Sequence, residues 1–392
     1  MPKPAAIAAT LILCTIATLP WPPARAQATS TRTAGLTEGR RLAAIYDTIL
    51  DARFDDARRE LATACPPAPS AACDALREVA QWWEIQQNQW SQSLDARMES
   101  SASTAIASAT AWTKREPERA EAWFYLAGAY APLSQWRVLR GERLTAARDG
   151  KRIKDALERA LALDASLQDA WFGIGLYHYY ADVAPAALKL LRFLLLLPGG
   201  DRREGLAEML RARAGGILLR GEADYQLHWL YLWYEEQPER ARDLLRALDA
   251  QHPSNPLFLQ RLADVEHVYF SDHAASADAW QRLLDRATTG RARTASLASA
   301  RATVGLAAES IELGAPARAI ERLTPLIATR PSTPYGILAL AYVTLGDAYA
   351  ASNDRPHASD AYTRAIADAP RDDPDRIRDR AREALARVRS AR

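Results

Sequence analysis

From Arg41 onward, hydrophobic residues recur every three or four positions, and breaks fall at Pro, Gly and Asn clusters. Tyr342, Leu345, Gly346 and Tyr349 share one helical stripe. Residues 353–356 interrupt it, and Ala358, Tyr362 and Ala365 form a second stripe closed by Pro370. Two amphipathic stripes joined by a short turn predict an αα-hairpin. Similar pairs recur upstream. Trp123, Leu126, Ala127 and Tyr130 precede Ile153, Leu157, Ala160 and Leu163, with residues 134–150 lengthening the join. Trp171, Ile174 and Gly175 open another pair, and residues 225–233 precede Ala241, Leu245 and Leu248. Leu262 and Ala263 lead to Trp280 and Leu283, and Leu306 and Ala307 lead to Ala319 and Leu323. Nearer the start, Leu42, Ile45, Tyr46, Ile49 and Leu50 precede Phe54, Ala57, Leu61 and Ala64, and residues 76–94 follow. The small, polar stretch 100–112 reads as a helix that others approach closely. No stretch alternates with period two, so the chain predicts an all-α repeat array.

The last pair resembles the tetratricopeptide (TPR) repeat at its signature positions Tyr342, Gly346, Tyr349, Ala358, Tyr362 and Pro370. Trp123 and Tyr130, then Trp171 and Gly175, match the opening half of earlier copies, with His178 where the family carries Tyr. The resemblance covers most of residues 116–370. It implies a right-handed superhelix of αα-hairpins, in which the first helix of each hairpin lines a concave groove. Gly346 and Ala358 fit physically, because helices approach closely only where side chains are small. The block GDRREGL (200–206) is similar to a segment of the Iml2/tetratricopeptide-39 group.

Three parts depart from the repeat. Residues 184–197 are apolar on all sides except Lys189 and Arg192, too short to cross a bilayer, and predict a buried helix. With Asp201 capping a following helix that ends at Gly215–Gly216, residues 184–216 read as an inserted apolar helix pair. After the last repeat, residues 371–392 predict a C-terminal capping helix, with Ile377, Ala381, Leu385 and Val388 facing inward. Residues 39–115 predict N-terminal hairpins ahead of the array.

Residues 1–26 have the pattern of a signal peptide: Lys3, an apolar run over 5–19, Pro20, Pro22 and Pro23, then Ala24–Arg25–Ala26. Residues 27–38 read as a flexible mature terminus. The expected protein is exported, periplasmic or envelope-associated, with no transmembrane span in the mature chain. Cys65 and Cys73 then remain, flanking a helix-breaking loop. In an oxidising compartment that spacing suits a disulfide; the competing reading is two unpaired small hydrophobes.

Composition narrows function mostly by exclusion. A net charge of +2, with 50 basic and 48 acidic residues interleaved, gives no case for nucleic acid. Walker, G-x-S-x-G, H-E-x-x-H and C-x-x-C motifs are absent. The six histidines never pair at i, i+4, and His267 and His273 straddle an expected turn; neither metal nor cofactor is expected. Asp182, Asp201 and His178 could cluster as an enzymatic site, but they read first as caps and packing residues.

The aromatics carry the binding hypothesis. Tyr179 and Tyr180 end one first helix; Trp233 and Tyr234 end another, level with them in the repeat. The TPR resemblance places that last turn on the concave face, where the four rings would form a wall for a protein or peptide partner. Against this stands packing of the same rings beneath residues 184–197. The leading expectation is a non-catalytic scaffold that holds a peptide or partner helix. The alternative is a small-molecule or glycan pocket lidded by 184–216.

Overall fold

The computed structural model describes residues 35–183 and 199–390 of the 392. The expected signal peptide and the apolar stretch 184–197 lie outside the described residues. Among the described residues seventeen α-helices follow one another, with no strand. They pair as α1 (Gly39–Leu50) with α2 (Phe54–Ala64), α3 (Ser70–Gln86) with α4 (Asp95–Arg115), and α5 (Ala120–Leu139) with α6 (Arg143–Leu163). Next come α7 (Ala170–Val183) with α8 (Arg202–Gly215), α9 (Arg220–Trp233) with α10 (Pro238–Gln251), and α11 (Pro256–Phe270) with α12 (His273–Thr288). The series closes with α13 (Ala295–Glu312) and α14 (Pro316–Ala328), α15 (Ile337–Ala351) and α16 (Arg355–Asp368), and α17 (Ile377–Ser390).

Packing is serial. Each helix from α1 to α17 packs on its neighbour in sequence, and α13 packs on α15 and α15 on α17 through their first-helix faces. The chain is an all-α, TPR-like solenoid. Small residues set its spacing. At Gly346 an added Cβ would sit 2.5 Å from the ring of Tyr362, and the Tyr362 hydroxyl donates to Asp347 2.7 Å away. Second helices start on Pro238 and Pro316, whose fixed φ suits a first turn. Asp272 and Asp354 cap α12 and α16 by accepting backbone N–H bonds.

Stretch 100–112 is helical as expected, with Ala102, Ala105 and Ala109 buried along α4. The long join at 134–150 is resolved by extending both helices, so α5 has 20 residues and α6 has 21. In the final helix the Asp373 carboxylate accepts the N–H groups of Ile377 and Arg378 at 2.8 and 2.7 Å, and Ile377, Ala381 and Ala384 are buried.

Two boundaries move. Helix α8 is the second helix of the hairpin opened by Trp171, not part of an insertion over 184–216. Gly205 of α8 crosses Gly175 of α7 so closely that a Cβ on either would lie 2.5–2.6 Å from the other's carbonyl oxygen. Gly205 thus takes the small-residue place of the second helix. The flexible terminus expected over 27–38 is tied down at its end. Gly35 N–H donates to Asp164 at 2.9 Å, and Thr37 donates twice to Glu121, at 2.7 and 2.9 Å.

The N-terminal hairpins of residues 39–115 do not stand apart from the array. One continuous core runs from Leu42 to Leu306. Helix α1 crosses the starts of later first helices: Ile217, just before α9, lies against Gly39, and Leu50 lies against Gly221. Beyond its end, Asp51 accepts from Ser254 N–H at 2.8 Å, and the Leu50 carbonyl accepts from Asn255 at 2.7 Å. Helix α3 follows the same course, with Trp83 packed on Tyr225 and Phe258. Past it, Asn88 accepts the N–H of Tyr335 at 2.9 Å.

Candidate functional site

First helices in this fold turn one face inward, and on α9 that face is Glu222, Tyr225, Gln226, Trp229 and Trp233, at helical spacing. Its lower half is already occupied by the chain itself. Glu222 is buried and accepts from Tyr46 of α1 at 3.0 Å, from Trp83 of α3 at 3.1 Å and from Gln226 at 3.0 Å. Gln226 also donates to Gln135 of α5 at 3.0 Å. Burial raises the Glu222 carboxyl above its ordinary value, against the pull of these three donors. Leu42, Ile45, Tyr46, Ile49 and Leu50 are all at most 4% exposed. Each contributes roughly 1.5–3 kcal/mol of transfer free energy, so no peptide displaces α1 cheaply.

The upper half of the stripe stays open. Trp233 is 56% exposed and stacks on Trp229 with centroids 4.2 Å apart. Trp229 in turn lies under Arg261 of α11 at 5.0 Å and beside His228 at 4.4 Å. His228 is buried, and burial lowers its imidazole to about 3, so it remains neutral.

The four aromatics expected to form a wall are divided. Tyr179 is fully buried and donates to Glu235 at 2.5 Å. Glu235 also accepts from Arg202 at 2.7 Å, and Arg202 donates to the carbonyl of Tyr234. Tyr179, Tyr180 and Tyr234 form an edge-to-face triad with centroids 5.8–6.0 Å apart. Tyr180 is 38% exposed and Tyr234 half-buried. Tyr179 is therefore core, Tyr234 joins the rings to α8, and Tyr180 and Trp233 present surface.

Of the repeat-signature residues, Trp171 lies under Arg211 of α8 at 4.4 Å, and Tyr130 lies under Arg152 at 5.4 Å. Trp123 donates to the Pro117 carbonyl at 2.9 Å. Tyr342, Gly346 and Ala358 are buried, Tyr349 stacks on His357, and Pro370 packs near Gly336. Cys65 and Cys73 are joined, with Sγ atoms 2.05 Å and Cα atoms 6.4 Å apart.

The residues considered for catalysis go to helix ends. Asp201 caps α8 by accepting from Arg203 and Glu204 N–H at 2.8 and 3.0 Å, which lowers its carboxyl below the ordinary value. Asp182 accepts from Arg202 N–H at 3.0 Å. His178 instead meets Glu208 at 2.8 Å, with Glu204 near enough to join them around an ion. A second such group brings His267 and His273 together with Glu309. The sequence placed the two histidines at one turn but gave no sign of Glu309, which arrives from the next hairpin.

Two clefts accompany these features. One of about 300 Å3 lies between α8, α9 and α10, lined by Leu210, Tyr231 and Arg240 among others. Another of about 370 Å3 lies between Trp90, Leu139, Arg140 and the Asp372–Asp373–Pro374 loop. Neither is lined by Tyr180 or Trp233. No helix among the described residues is long and apolar enough to cross a membrane.

No family model and no curated protein matches the chain. Among solved structures it is similar to the anaphase-promoting-complex hetero-tetramer Cut9–Hcn1, with 14% identity, 85% of this chain covered and a TM-score of 0.42. The chain spans 58% of that protein's length. It is also similar to human IFIT1, seen as a dimer with PPP-AAAA, at 12% identity over 91% of this chain and 87% of that one, TM-score 0.43. Yeast Tom70 aligns at 12% identity over 89% and 82%, TM-score 0.41.

Proposed function

We propose that the protein is a non-catalytic scaffold, exported to the periplasm or envelope, that holds a peptide or partner helix on the open upper half of its first-helix face. The observation that carries this is the contrast along α9. Glu222 and Tyr225 are sealed beneath α1 and α3, whereas Trp233 is 56% exposed on top of the Trp229 stack. An exposed tryptophan held rigid by a second ring offers large apolar contact at small entropic cost. Arg261 lies over the Trp229 ring on which Trp233 stacks and brings a guanidinium to that part of the face. The groove is thus narrower than a fully open TPR groove, and the partner touches a ledge rather than the whole concavity. Export is supported by the pattern of residues 1–26 and by the joined Cys65 and Cys73, which persist in an oxidising compartment.

The test is site-specific photocrosslinking from position 233, with the partner identified by mass spectrometry. Trp233→Ala and Tyr180→Ala should abolish capture and leave the melting temperature within about 2 °C, as expected for partly exposed side chains. Equal capture by wild type and both variants removes the ledge from the reading. A large melting drop in both would return the rings to the core.

A further inference from the structure

The turn between α11 and α12 is fixed by its backbone. Ser271 is left-handed at φ 50°, Asp272 N–H donates to the Glu266 carbonyl at 2.9 Å, and the Asp272 carboxylate caps α12. This geometry sets His267 on the last turn of α11 face to edge with His273 at the start of α12, ring centroids 5.1 Å apart. Glu309 of α13 reaches the same point from the neighbouring hairpin. Its side chain is only 4% exposed, and among the described residues it pairs with no Arg or Lys. Its two oxygens are divided between the imidazoles: Oε1 lies 2.9 Å from Nδ1 of His267, and Oε2 lies 3.0 Å from Nδ1 of His273. Nδ1 of His267 is buried and, despite that distance, is out of line for a hydrogen bond.

A buried carboxylate with no Arg or Lys beside it is unfavourable. A dication at the centre supplies the missing positive charge. The three donors lie within 4.8 Å of one another. Ligands of a tetrahedral zinc with bonds near 2 Å are about 3.3 Å apart, so drawing any two of these donors onto one ion takes at most about 1.5 Å of side-chain movement. Ser276, itself fully buried, donates to Oε1 of Glu309 at 2.8 Å and so orients the carboxylate from behind. We propose that His267, His273 and Glu309 bind a divalent transition metal, zinc being the best fit to two imidazoles and one carboxylate. The metal ties α11, α12 and α13 together. His267 and His273 are 40% and 27% exposed at their side chains, which leaves the fourth coordination position facing solvent.

The test uses untagged, chelator-treated full-length protein, titrated with Zn2+ by calorimetry and followed by thermal melting. The expected result is one Zn2+ bound per chain at this site, accompanied by a rise in melting temperature. His267→Ala and His273→Ala should each weaken it at least about 100-fold. His178→Ala, in the second His–Glu cluster, should leave it unchanged. Co2+ should give the visible absorption of a low-coordinate site in wild type and not in His273→Ala. Should Glu309→Gln fail to fold, the two half-buried histidines still decide. Absence of Zn2+ binding by wild type overturns the proposal. So does undiminished affinity in both His267→Ala and His273→Ala.

Discussion

Tyr46 donates its hydroxyl to Glu222 across 3.0 Å and 176 residues of sequence, which joins the first helix of the fold to the inner face of its ninth. The bond is buried and shares its acceptor oxygen with Trp83. Tyr46→Phe keeps the ring and the other donors. It should lower unfolding free energy by roughly 1.5–3 kcal/mol, the range for a hydrogen bond to a charged group, read from urea denaturation. No change would mean that α1 is held by apolar packing alone.

Glu222 also gives stability a pH dependence. Its folded carboxyl titrates above the ordinary 4.5 because burial disfavours the charge. Between the unfolded and the raised folded value, the native state keeps a proton that the unfolded chain has released. Stability from this group is therefore complete below 4.5 and falls as pH rises through the folded value. Glu222→Gln lacks that slope. The stability of the variant relative to wild type should increase from acid toward neutral pH in parallel urea titrations. A difference independent of pH contradicts the assignment.

Glu78 of α3 is a different case. It is fully buried, and neither carboxylate oxygen makes a well-aligned hydrogen bond; the backbone of Leu133 is the one group that pulls against burial. Burial pushes its carboxyl well above the ordinary range. Glu78→Met conserves bulk and removes the unpaired polar group, so it should stabilise the protein by about 1–3 kcal/mol. Calorimetric melting checks the sign.

The Gly175–Gly205 crossing gives a matched pair of substitutions. Gly205→Ala drives a methyl into backbone of α7, which no rotamer change relieves, and should cost about 1–3 kcal/mol. Gly128→Ala, inside α5 with nothing within 4 Å of the new methyl, should gain about 0.5–1 kcal/mol from helix propensity. Similar melting temperatures for the two variants would show that the helices part without strain.

Much of the fold was legible because amphipathic period and small-residue placement are local properties. The stripe Tyr342–Tyr349 and its partner at Ala358–Tyr362 appear as α15 and α16, and Asp201 caps α8. Residues 202–216 group with the apolar stretch before them in the sequence for a local reason. Nothing in a sequence window shows that Gly205 is the contact that lets α8 lie on α7. Likewise, the aromatics at 179–180 and 233–234 could be aligned by repeat, but nothing local divides Tyr179 at 0% exposure from Trp233 at 56%.

The sequence by itself determined most of the helices, the pairing of all but α7 with α8, and many of the residues small enough to let them nest. Those depend on contacts three, four or some twenty residues apart. Only the tertiary structure decided that α1 and α3 lie across the first-helix face, that Glu222 binds Tyr46 and Trp83, and that Glu309 reaches His267 and His273. A solenoid's curvature accumulates from small angles at every hairpin. Which distant faces it brings together is therefore a property of the whole course and of no single repeat.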